Sequence, residues 1–586
     1  MSNRLSLSLL AVAVAALPRV VAAPPPLPSC ERIEQILTEV TGSSTHDVEH
    51  HRIGSSAGGR PLHAVSIVAK GQPATHEIVI VAGLEGRQPA GVLAALRALE
   101  SLAHGVPAGI RVHFVPLANP DAYAAWAREP VVPTDGNAQP VDDDRDWRVD
   151  EDGPNDVDGD GRISSMRVID PRGEWVADPA EPRLLRKADR KQGEVGRYRV
   201  LLEGTDDDGD AEINEDPVGG IEPARNFPHA YPEHSAPSGR YALEAPEARA
   251  LAEFLLDHPN TALLVLLSSF DSVTQELASE DSAGRAGRRS RSAATLLNAD
   301  DLPAFTTLAE TFRAAFELER SNGKTNFPAG DLAGYAYFHL GIPVVSHPLW
   351  SVPRVQQSGE SRPSDARPPS AESSDGDKEP PTPGRESRRG RGRTDSPPVG
   401  GDLAGARAWL QFADEHPERA GFVPWHTVAH PSLGSVEVGG FVPGFREIPP
   451  AEEITRLGVG LVKFLSDAVG LLPRLEVDRI ITESRPGDIH RVELRVRNTG
   501  RIPLRLAQGV INRHVRASLV KPRLESGTLL LSGPTQGPVD ALAPEGLQQF
   551  EWWVSAPTGK TITIDMDTPA GTSSRQITLG ARREVF

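Results

Sequence analysis

Residues 78–102 read IVIVAGLEGRQPAGVLAALRALESL, and this stretch decides the fold. Its first five residues, Ile78 to Ala82, form a continuous apolar run, which is typical of a strand that is covered on both faces of its sheet. A loop follows, and the Ala- and Leu-rich segment from Pro89 to Leu102 predicts a helix. A buried strand that leads through a short loop into a helix is the repeating unit of an α/β fold.

The same alternation of strands and helices continues along the chain. The apolar patterns predict further strands at 63–68, 111–116, 262–267 and 342–346, and further helices at 244–257, 302–316 and 452–471. We therefore expect an α/β domain with helices on both faces of its sheet, formed by residues 31–353 and completed by residues 403–471.

Two regions differ from this pattern. Residues 354–402 are rich in Pro, Ser, Gly and Arg and have almost no large apolar side chain, so we expect them to form a disordered linker. From 475 to 586 the apolar residues alternate with period two between turn residues, as in 492–500 and 561–565. This alternation predicts a C-terminal β-sandwich domain.

The composition limits the classes of protein to consider. The chain has 586 residues, enough for two to four domains, and its formal net charge is −18. A chain this acidic is a poor partner for nucleic acid or for an anionic membrane. Its one cysteine, Cys30, excludes an intramolecular disulfide and any zinc or iron–sulfur site built from several cysteines.

The N-terminal residues resemble a secretory signal. Arg4 supplies a positive charge, residues 5–17 form an apolar run that is too short to span a bilayer, and residues 21–23 offer small side chains for cleavage. No later stretch is long and apolar enough to predict a membrane helix. We therefore expect residues 1–23 to be a signal peptide and the mature protein to be secreted or periplasmic.

Most of the negative charge lies in two windows. Residues 141–160 hold nine Asp and one Glu against two Arg, and residues 203–222 hold nine acidic residues and no basic one. Carboxylates at alternate positions, with glycine at the turn, resemble the oxygen cages that calcium prefers. The acidic loops 141–163 and 203–222 therefore predict calcium sites, and the candidate ligands are Asp142, Asp144, Asp146, Asp156, Asp158, Asp160, Asp206, Asp208 and Asp210.

The alternative is a pair of solvated acidic loops with no bound ion. The twelfth position of a loop that starts at Asp156 is Arg167, where an EF-hand loop has glutamate, so the pattern is not that of a complete EF-hand.

Several short segments together resemble the zinc carboxypeptidase (carboxypeptidase A-like) family, specifically its bacterial secreted branch. In chain order they are the turn from Ile53 to Leu62, Asn119-Pro120-Asp121, Ala224-Arg225-Asn226-Phe227, and His430-Pro431 to Gly440. The resemblance implies a mixed eight-stranded sheet with flanking helices. It also implies an ancestral reaction, the hydrolysis of a C-terminal peptide bond by a zinc-bound water.

The resemblance further implies where a zinc site should lie. In the family a histidine and a glutamate follow a buried strand, a second histidine ends a later strand, and a glutamate general base precedes Leu-Trp. The matching positions here are Glu85, Gln88, Ser268 and Pro348. An amide and a hydroxyl are weak zinc ligands, and proline has no group that accepts a proton. We therefore expect zinc to be absent and these positions to be non-catalytic.

Arg225 and Asn226 match residues that, by the same resemblance, hold the terminal carboxylate of the substrate. A guanidinium fork suits a carboxylate, so the remaining pocket is expected to bind the free end of a peptide or cell-wall chain without cutting it. The alternative for Arg225 is an ion pair with one of the acidic loops.

Two other hypotheses stay open at this stage. One is a working metallocarboxypeptidase that removes C-terminal residues with displaced ligands, such as His229, His234 or His347. The other is a calcium-stabilised structural surface protein with no ligand in the pocket. The sequence thus leaves open whether the protein is an enzyme.

Overall fold

The secondary structure of the computed structural model covers most of the chain. The described residues are 27–71, 74, 76–142, 147–217, 219–233, 235–280, 294–351, 403–539, 541–569, 571–580 and 583–585. The predicted signal peptide (1–23), the predicted linker (354–402), and the candidate ligands Asp144 and Asp146 lie outside them.

The helices and strands of the described residues are numbered here in chain order. The α-helices are α1 (Cys30–Ser43), α2 (Pro89–Leu102), α3 (Pro120–Ala124), α4 (Pro246–Asp257), α5 (Leu302–Phe316), α6 (Leu332–Tyr335), α7 (Leu403–Glu415), α8 (Ala451–Val469) and α9 (Ala507–Asn512). The strands up to the predicted linker are β1 (Asp47–Ser55), β2 (Pro61–Val68), β3 (His76–Ala82), β4 (Ile110–Val115), β5 (Ser165–Ile169), β6 (Trp175–Asp178), β7 (Glu181–Lys187), β8 (Tyr198–Leu202), β9 (Thr261–Leu267), β10 (Glu276–Leu277), β11 (Ser279–Glu280), β12 (Leu297–Asn298), β13 (Lys324–Thr325) and β14 (Val344–Ser346). The later strands are β15 (Phe422–His430), β16 (Gly434–Phe441), β17 (Leu475–Arg485), β18 (Ile489–Asn498), β19 (Ser518–Arg523), β20 (Leu529–Ser532), β21 (Gly537–Val539), β22 (Leu547–Ser555), β23 (Thr561–Thr568), β24 (Gly571–Thr578) and β25 (Arg583–Val585).

The main sheet is mixed, and its order is β1-β2-β4-β3-β9-β14. Strands β4, β3, β9 and β14 run parallel, whereas β1 and β2 are antiparallel to their neighbours. Strands β3 and β9 are buried over nearly their whole length, which requires cover on both faces of the sheet. The predicted α/β class is confirmed. In the described residues this sheet has six strands, two fewer than the eight that the resemblance implies.

Helix α8 joins the later part of the chain to this sheet. It packs on α2 and α5, and its residues Leu457, Leu461, Phe464 and Leu465 lie in the same hydrophobic core as β3 and β9. Its apolar residues recur at helical spacing, so one face is buried along its whole length.

A second sheet was not predicted. Its order is β15-β16-β5-β8-β6-β7, and it joins residues 165–202 to residues 422–441. The join is the antiparallel pairing of β16 with β5, in which Val438 faces Met166. Short strands that pair across more than two hundred residues leave little local signal in a sequence, because the pairing depends on the tertiary structure.

The C-terminal region consists of two sheets around one core. One sheet has the order β20-β22-β18-β17-β25 and the other β21-β19-β23-β24, and their inner faces meet around the fully buried Trp552. This confirms the predicted all-β domain. It is attached to the α/β domain at α9, where buried Asp301 accepts the backbone N–H groups of Ala507 (2.6 Å) and Gln508 (3.1 Å).

Candidate functional site

The candidate site lies at one edge of the main sheet. The parallel strands β3, β4, β9 and β14 all end there, so the loops that follow them converge. These loops carry Glu85, Asn119, Ser268 and Pro348 respectively. Strand β4, which follows β3 in the chain, lies on one side of β3, and the later strand β9 lies on the other side. In open α/β sheets such a switch point forms the crevice that binds ligands.

Glu85 is held by the loop after β9. Its two carboxylate oxygens accept the backbone N–H of Ser269 (2.7 Å) and the hydroxyl of the same residue (2.8 Å). Burial, with a smaller contribution from the nearby charges of Asp135 and Asp331, raises the pKa of Glu85 to about 8, although the hydrogen bonds from Ser269 lower it. The side chain at the family's histidine position is therefore a carboxyl group that favours its neutral form at pH 7.

Two more acidic side chains stand around this group. Asp331 is buried and accepts the backbone N–H of Ala333 (2.6 Å) at the start of α6, and burial raises its pKa to about 7. Asp135 accepts the backbone N–H of Arg87 (2.9 Å). The segment that carries Asp135 lies so close to the loop after β3 that residue 86 must be glycine, because a Cβ there would lie 2.2 Å from the carbonyl oxygen of Thr134.

The other two predicted ligand positions have structural contacts. Ser268 is buried, and its hydroxyl lies 3.0 Å from that of Ser346, which donates to the carbonyl of Phe270 (2.8 Å). Gln88 is the residue before the first turn of α2, and its backbone N–H donates to the carbonyl of Glu85 (3.1 Å).

Pro348 lies beside a packed histidine. The ring nitrogen Nδ1 of His347 accepts the backbone N–H of Leu349 (2.9 Å), and burial lowers the pKa of His347 to about 4. His229 contacts the carbonyl of Ala294 through Nε2 (2.6 Å) and stacks on Phe338. His234 lies outside the described residues.

The residues at these positions do not fit zinc. Their donor set is one carboxylate, one amide and one hydroxyl, whereas protein zinc sites are built from imidazole, thiolate and carboxylate ligands. The carboxylate already accepts two hydrogen bonds from Ser269. No zinc-dependent step follows from these side chains.

Arg225 ends a 3₁₀ turn, Pro223–Arg225, and Asn226 caps it; the two residues differ in exposure. The Arg225 side chain is 45% exposed and lies 3.7 Å from Glu222. Asn226 is fully buried, donates to the carbonyls of Ser238 (2.7 Å) and Tyr241 (3.0 Å), and accepts the backbone N–H of Ala245 (2.9 Å).

Gly330, the residue before Asp331, lies close to the Arg225 backbone, because a Cβ at Gly330 would lie 2.3 Å from the Arg225 carbonyl oxygen. The Arg225 backbone therefore also borders the crevice. Of Arg225 and Asn226, only Arg225 has polar side-chain atoms available to a ligand.

Two of the four segments that carry the family resemblance, the turn from Ile53 to Leu62 and Asn119-Pro120-Asp121, meet at Asp121. Its buried carboxylate accepts the hydroxyl of Ser56 (2.8 Å), the backbone N–H of Gly58 (2.7 Å), the backbone N–H of Ala138 (3.2 Å) and the guanidinium of Arg60 (2.7 Å). The Asn-Pro-Asp segment thus anchors the turn between β1 and β2.

Sequence reasoning missed a second anchor, Glu247. This fully buried residue accepts the backbone N–H of Ala57 (2.9 Å) and the amide of Asn137 (2.8 Å). Its only signal in the sequence is an acidic residue in the first turn of an amphipathic helix.

The acidic loops bring carboxylates together in two groups. Asp156, Asp158 and Glu203 have ligand oxygens within 4.8 Å of one another, and so do Asp206, Asp208 and Asp210. Sequence spacing identified all of these except Glu203, which is completely buried and comes from the other loop.

Two predicted ligands in these loops have other partners. The backbone N–H of Arg162 donates to Asp160 (2.9 Å), and that of Trp147 donates to Asp142 (3.1 Å).

Comparison with protein families identifies the α/β domain. The model of the family described as zinc carboxypeptidase matches residues 33–346. The chain belongs to the zinc carboxypeptidase family. A second model, described as a domain of unknown function, matches residues 474–578 of the all-β region. A search of the curated proteins gave no match.

Solved structures include distant relatives of the zinc carboxypeptidase domain. Thrombin-activatable fibrinolysis inhibitor is 15% identical, with a TM-score of 0.32, and the match covers 54% of this chain and 65% of that one. Carboxypeptidase A from Helicoverpa armigera is 15% identical (TM-score 0.33; 57% and 66% covered). A metallo-carboxypeptidase from Burkholderia cenocepacia is 11% identical (TM-score 0.26; 54% and 59% covered). The chain thus spans about two thirds of the length of the first two, and scores this low carry no functional argument.

Proposed function

We propose that this zinc carboxypeptidase-family protein is a non-catalytic binding protein that recognises the free carboxylate at the end of a peptide or cell-wall chain. The observation that carries the proposal is the state of Glu85. Its carboxyl group is bound by Ser269, and burial favours its neutral form, so the group at the first family ligand position is poorly suited to a metal. Pro348 offers no proton acceptor in place of a general base.

Arg225 supports binding of a chain end. Its guanidinium is half-exposed, and its ion pair with Glu222 is 3.7 Å long. An exposed ion pair of this length stabilises the fold by less than about 1 kcal/mol, so a ligand carboxylate can compete for the guanidinium. Planar guanidinium groups bind carboxylates through two parallel hydrogen bonds.

Binding assays with N-acetylated tetrapeptides, as free acids and as C-terminal amides, test this role. We expect the free acids to bind about tenfold more tightly, which is the effect of one charge-assisted hydrogen bond. Arg225→Ala should remove that preference. The matched control is Arg190→Ala, because Arg190 is also an exposed arginine, 3.6 Å from Glu174 in the second sheet. Equal affinity for acids and amides, or a preference that survives Arg225→Ala, contradicts the proposal.

The alternative of a working metallocarboxypeptidase is tested on the same preparation. Elemental analysis of the purified protein should find no stoichiometric zinc, and incubation with the free-acid peptides should release no C-terminal residue. Stoichiometric zinc together with hydrolysis would establish the enzyme and reject the non-catalytic role.

The proposed binding protein is exported and carries structural calcium. Export rests on the signal-like composition of residues 1–23. Calcium rests on the two carboxylate groups, Asp156–Asp158–Glu203 and Asp206–Asp208–Asp210, because hard oxygen donors this close together repel one another unless a cation lies between them. In the described residues, no helix combines the length and apolar character needed to cross a membrane.

A further inference from the structure

The two acidic loops meet at a point that the spacing of their aspartates does not identify. Asp152 and Asp216 form an isolated antiparallel bridge, in which the backbone N–H of Asp152 donates to the carbonyl of Asp216 (3.2 Å). The bridge holds the first acidic loop (141–163) against the second (203–222).

Two carboxyl groups are buried together at this bridge. Asp152 is 1% exposed, and its carboxylate accepts the backbone N–H groups of Asn214 (3.0 Å) and Asp207 (3.4 Å). Glu215 is 8% exposed, and its carboxyl group lies within hydrogen-bond range of that of Asp152. The two groups come from different loops. Asp152 and Asn214, which contact each other, lie 62 residues apart in the sequence.

Glu215 has an oxygen that no described donor reaches. Its Oε2 is buried and accepts no hydrogen bond from the part of the chain that the structure describes. The same is true of the amide oxygen Oδ1 of the adjacent Asn214, which is also 8% exposed. Buried oxygens without a donor are rare in folded proteins, and a bound ion is one of the few physical reasons for them.

Neighbouring carboxyl groups act on Glu215 at the bridge. Burial, together with the neighbouring Asp152 and Asp210, raises the pKa of Glu215 to about 9, and burial also raises the pKa of Asp152. A close pair of carboxyl groups is stable only if it shares a proton or binds a cation. A proton shared by the two carboxyl groups does not account for the buried Oδ1 of Asn214, which also lacks a donor.

We propose that Asp152 and Glu215 bind a hard divalent cation, Ca²⁺, that joins the two acidic loops. The donors at the bridge are all oxygens, and hard cations of this size accept six to eight oxygen ligands in irregular geometry. The site is separate from the groups Asp156–Asp158–Glu203 and Asp206–Asp208–Asp210. It does not depend on the proposed binding of chain ends.

Counting bound calcium tests the site. Wild type, Glu215→Gln and Glu212→Gln are dialysed against about 1 mM CaCl₂, a concentration at which extracellular sites fill, and bound calcium is measured by elemental analysis. Glu212 is the matched control, since it is an exposed glutamate in the same loop and loses the same charge. We expect Glu215→Gln to bind one ion fewer per chain than the other two proteins, and to show a smaller calcium-induced rise in melting temperature.

The result that overturns the proposal is a Glu215→Gln protein that binds as many ions as wild type. If it also melts higher than wild type without calcium, the pair shares a proton instead. Wild type without bound calcium overturns it as well. Asp208→Asn separates this site from the loop group, because it should lower the count independently of Glu215→Gln. If Glu215→Gln does not fold, Glu215→Asp replaces it, and an unchanged calcium affinity of that variant rejects the site.

Discussion

The crevice around Glu85 and the two acidic loops both gather carboxyl groups, but they hold them differently. In the crevice, burial raises the pKa of Glu85 and of Asp331 toward or above neutrality. In the loops, Asp156 and Asp206 are partly exposed, and each carboxylate accepts backbone N–H groups of its own turn, for example from Gly159 (2.7 Å) and Ala211 (3.1 Å).

The difference shows how the same residue type serves two purposes. A carboxyl group that is buried without a cation becomes neutral and takes part in ordinary hydrogen bonds. A carboxylate that stays solvated keeps its charge and remains available to a hard cation. The crevice of this zinc carboxypeptidase-family protein has features of the first kind. In the acidic loops Asp156 and Asp206 have features of the second kind, whereas Asp152 and Glu215 are buried.

The largest expected effect is a loss of stability on substitution of Asp121, which anchors the turn between β1 and β2 and belongs neither to the crevice carboxyl groups nor to the acidic loops. Asp121→Ala removes an acceptor of four hydrogen bonds and leaves the Arg60 guanidinium without its carboxylate. We expect the free energy of unfolding to fall by about 3–5 kcal/mol, because buried donors lose their partner. Urea unfolding measures it. Asp257→Ala, at an exposed position at the end of α4, should change stability by no more than about 0.5 kcal/mol, and a loss no larger than this for Asp121→Ala would contradict the assigned role.

A chelator distinguishes the loops from the crevice. Removing calcium with EGTA should lower the melting temperature by several degrees, since an ion held at a hundred times its dissociation constant contributes about 2.7 kcal/mol. A zinc-selective chelator should leave the melting temperature unchanged, because the proposed crevice holds no zinc. The measurement is thermal unfolding followed by circular dichroism. A melting temperature that EGTA does not lower, or that the zinc chelator does lower, would contradict the proposed difference between the acidic loops and the crevice.

The smallest expected effect depends on pH. The folded pKa of Glu85 is about 8, above the model-compound value of 4.5, so between these values the unfolded chain loses a proton that the folded protein keeps. Stability from this group therefore falls as pH rises from 4.5 to 8. Glu85→Gln cannot ionise, so its stability relative to wild type should increase across that window and stay constant above it. The full shift corresponds to about 5 kcal/mol, but Glu85 is only half-buried, and screening by solvent leaves an effect on the order of 1–2 kcal/mol.

Chemical denaturation at several pH values measures this difference. Glu253→Gln, an exposed change on α4, serves as the control and should show no such trend. A Glu85→Gln difference that is flat between pH 4.5 and 8 would show that the Glu85 carboxyl group is not buried as described.

Much of the fold could be predicted because its signals are local. The apolar run of β3 and the period of α5 and α8 fix those elements within a few residues, since burial of a strand or of one helix face needs only neighbouring residues. The alternation in β18 and β23 gave the all-β region in the same way. The second sheet was missed because β5 and β16 pair across a long separation in sequence.

The resemblance gave the positions Glu85, Ser268 and Arg225, and their role in a binding site stays a prediction. The neutral preference of Glu85, the partners of Asn226 and the burial of Glu203 depend on which groups surround them in space. These surroundings come from loops that are distant in sequence.

The sequence by itself determined the classes of the two folded regions, the residue types at the positions that the resemblance aligns with zinc ligands, and the two concentrations of negative charge, because each is a property of residue type and spacing. Only the tertiary structure decided which carboxyl groups are buried, which oxygens lack a donor, and that Asp152 meets Glu215 across the two loops. The physical reason is that solvation and electrostatic interaction act through space, so the protonation and ion binding of a carboxyl group depend on neighbours that the order of residues along the chain does not specify.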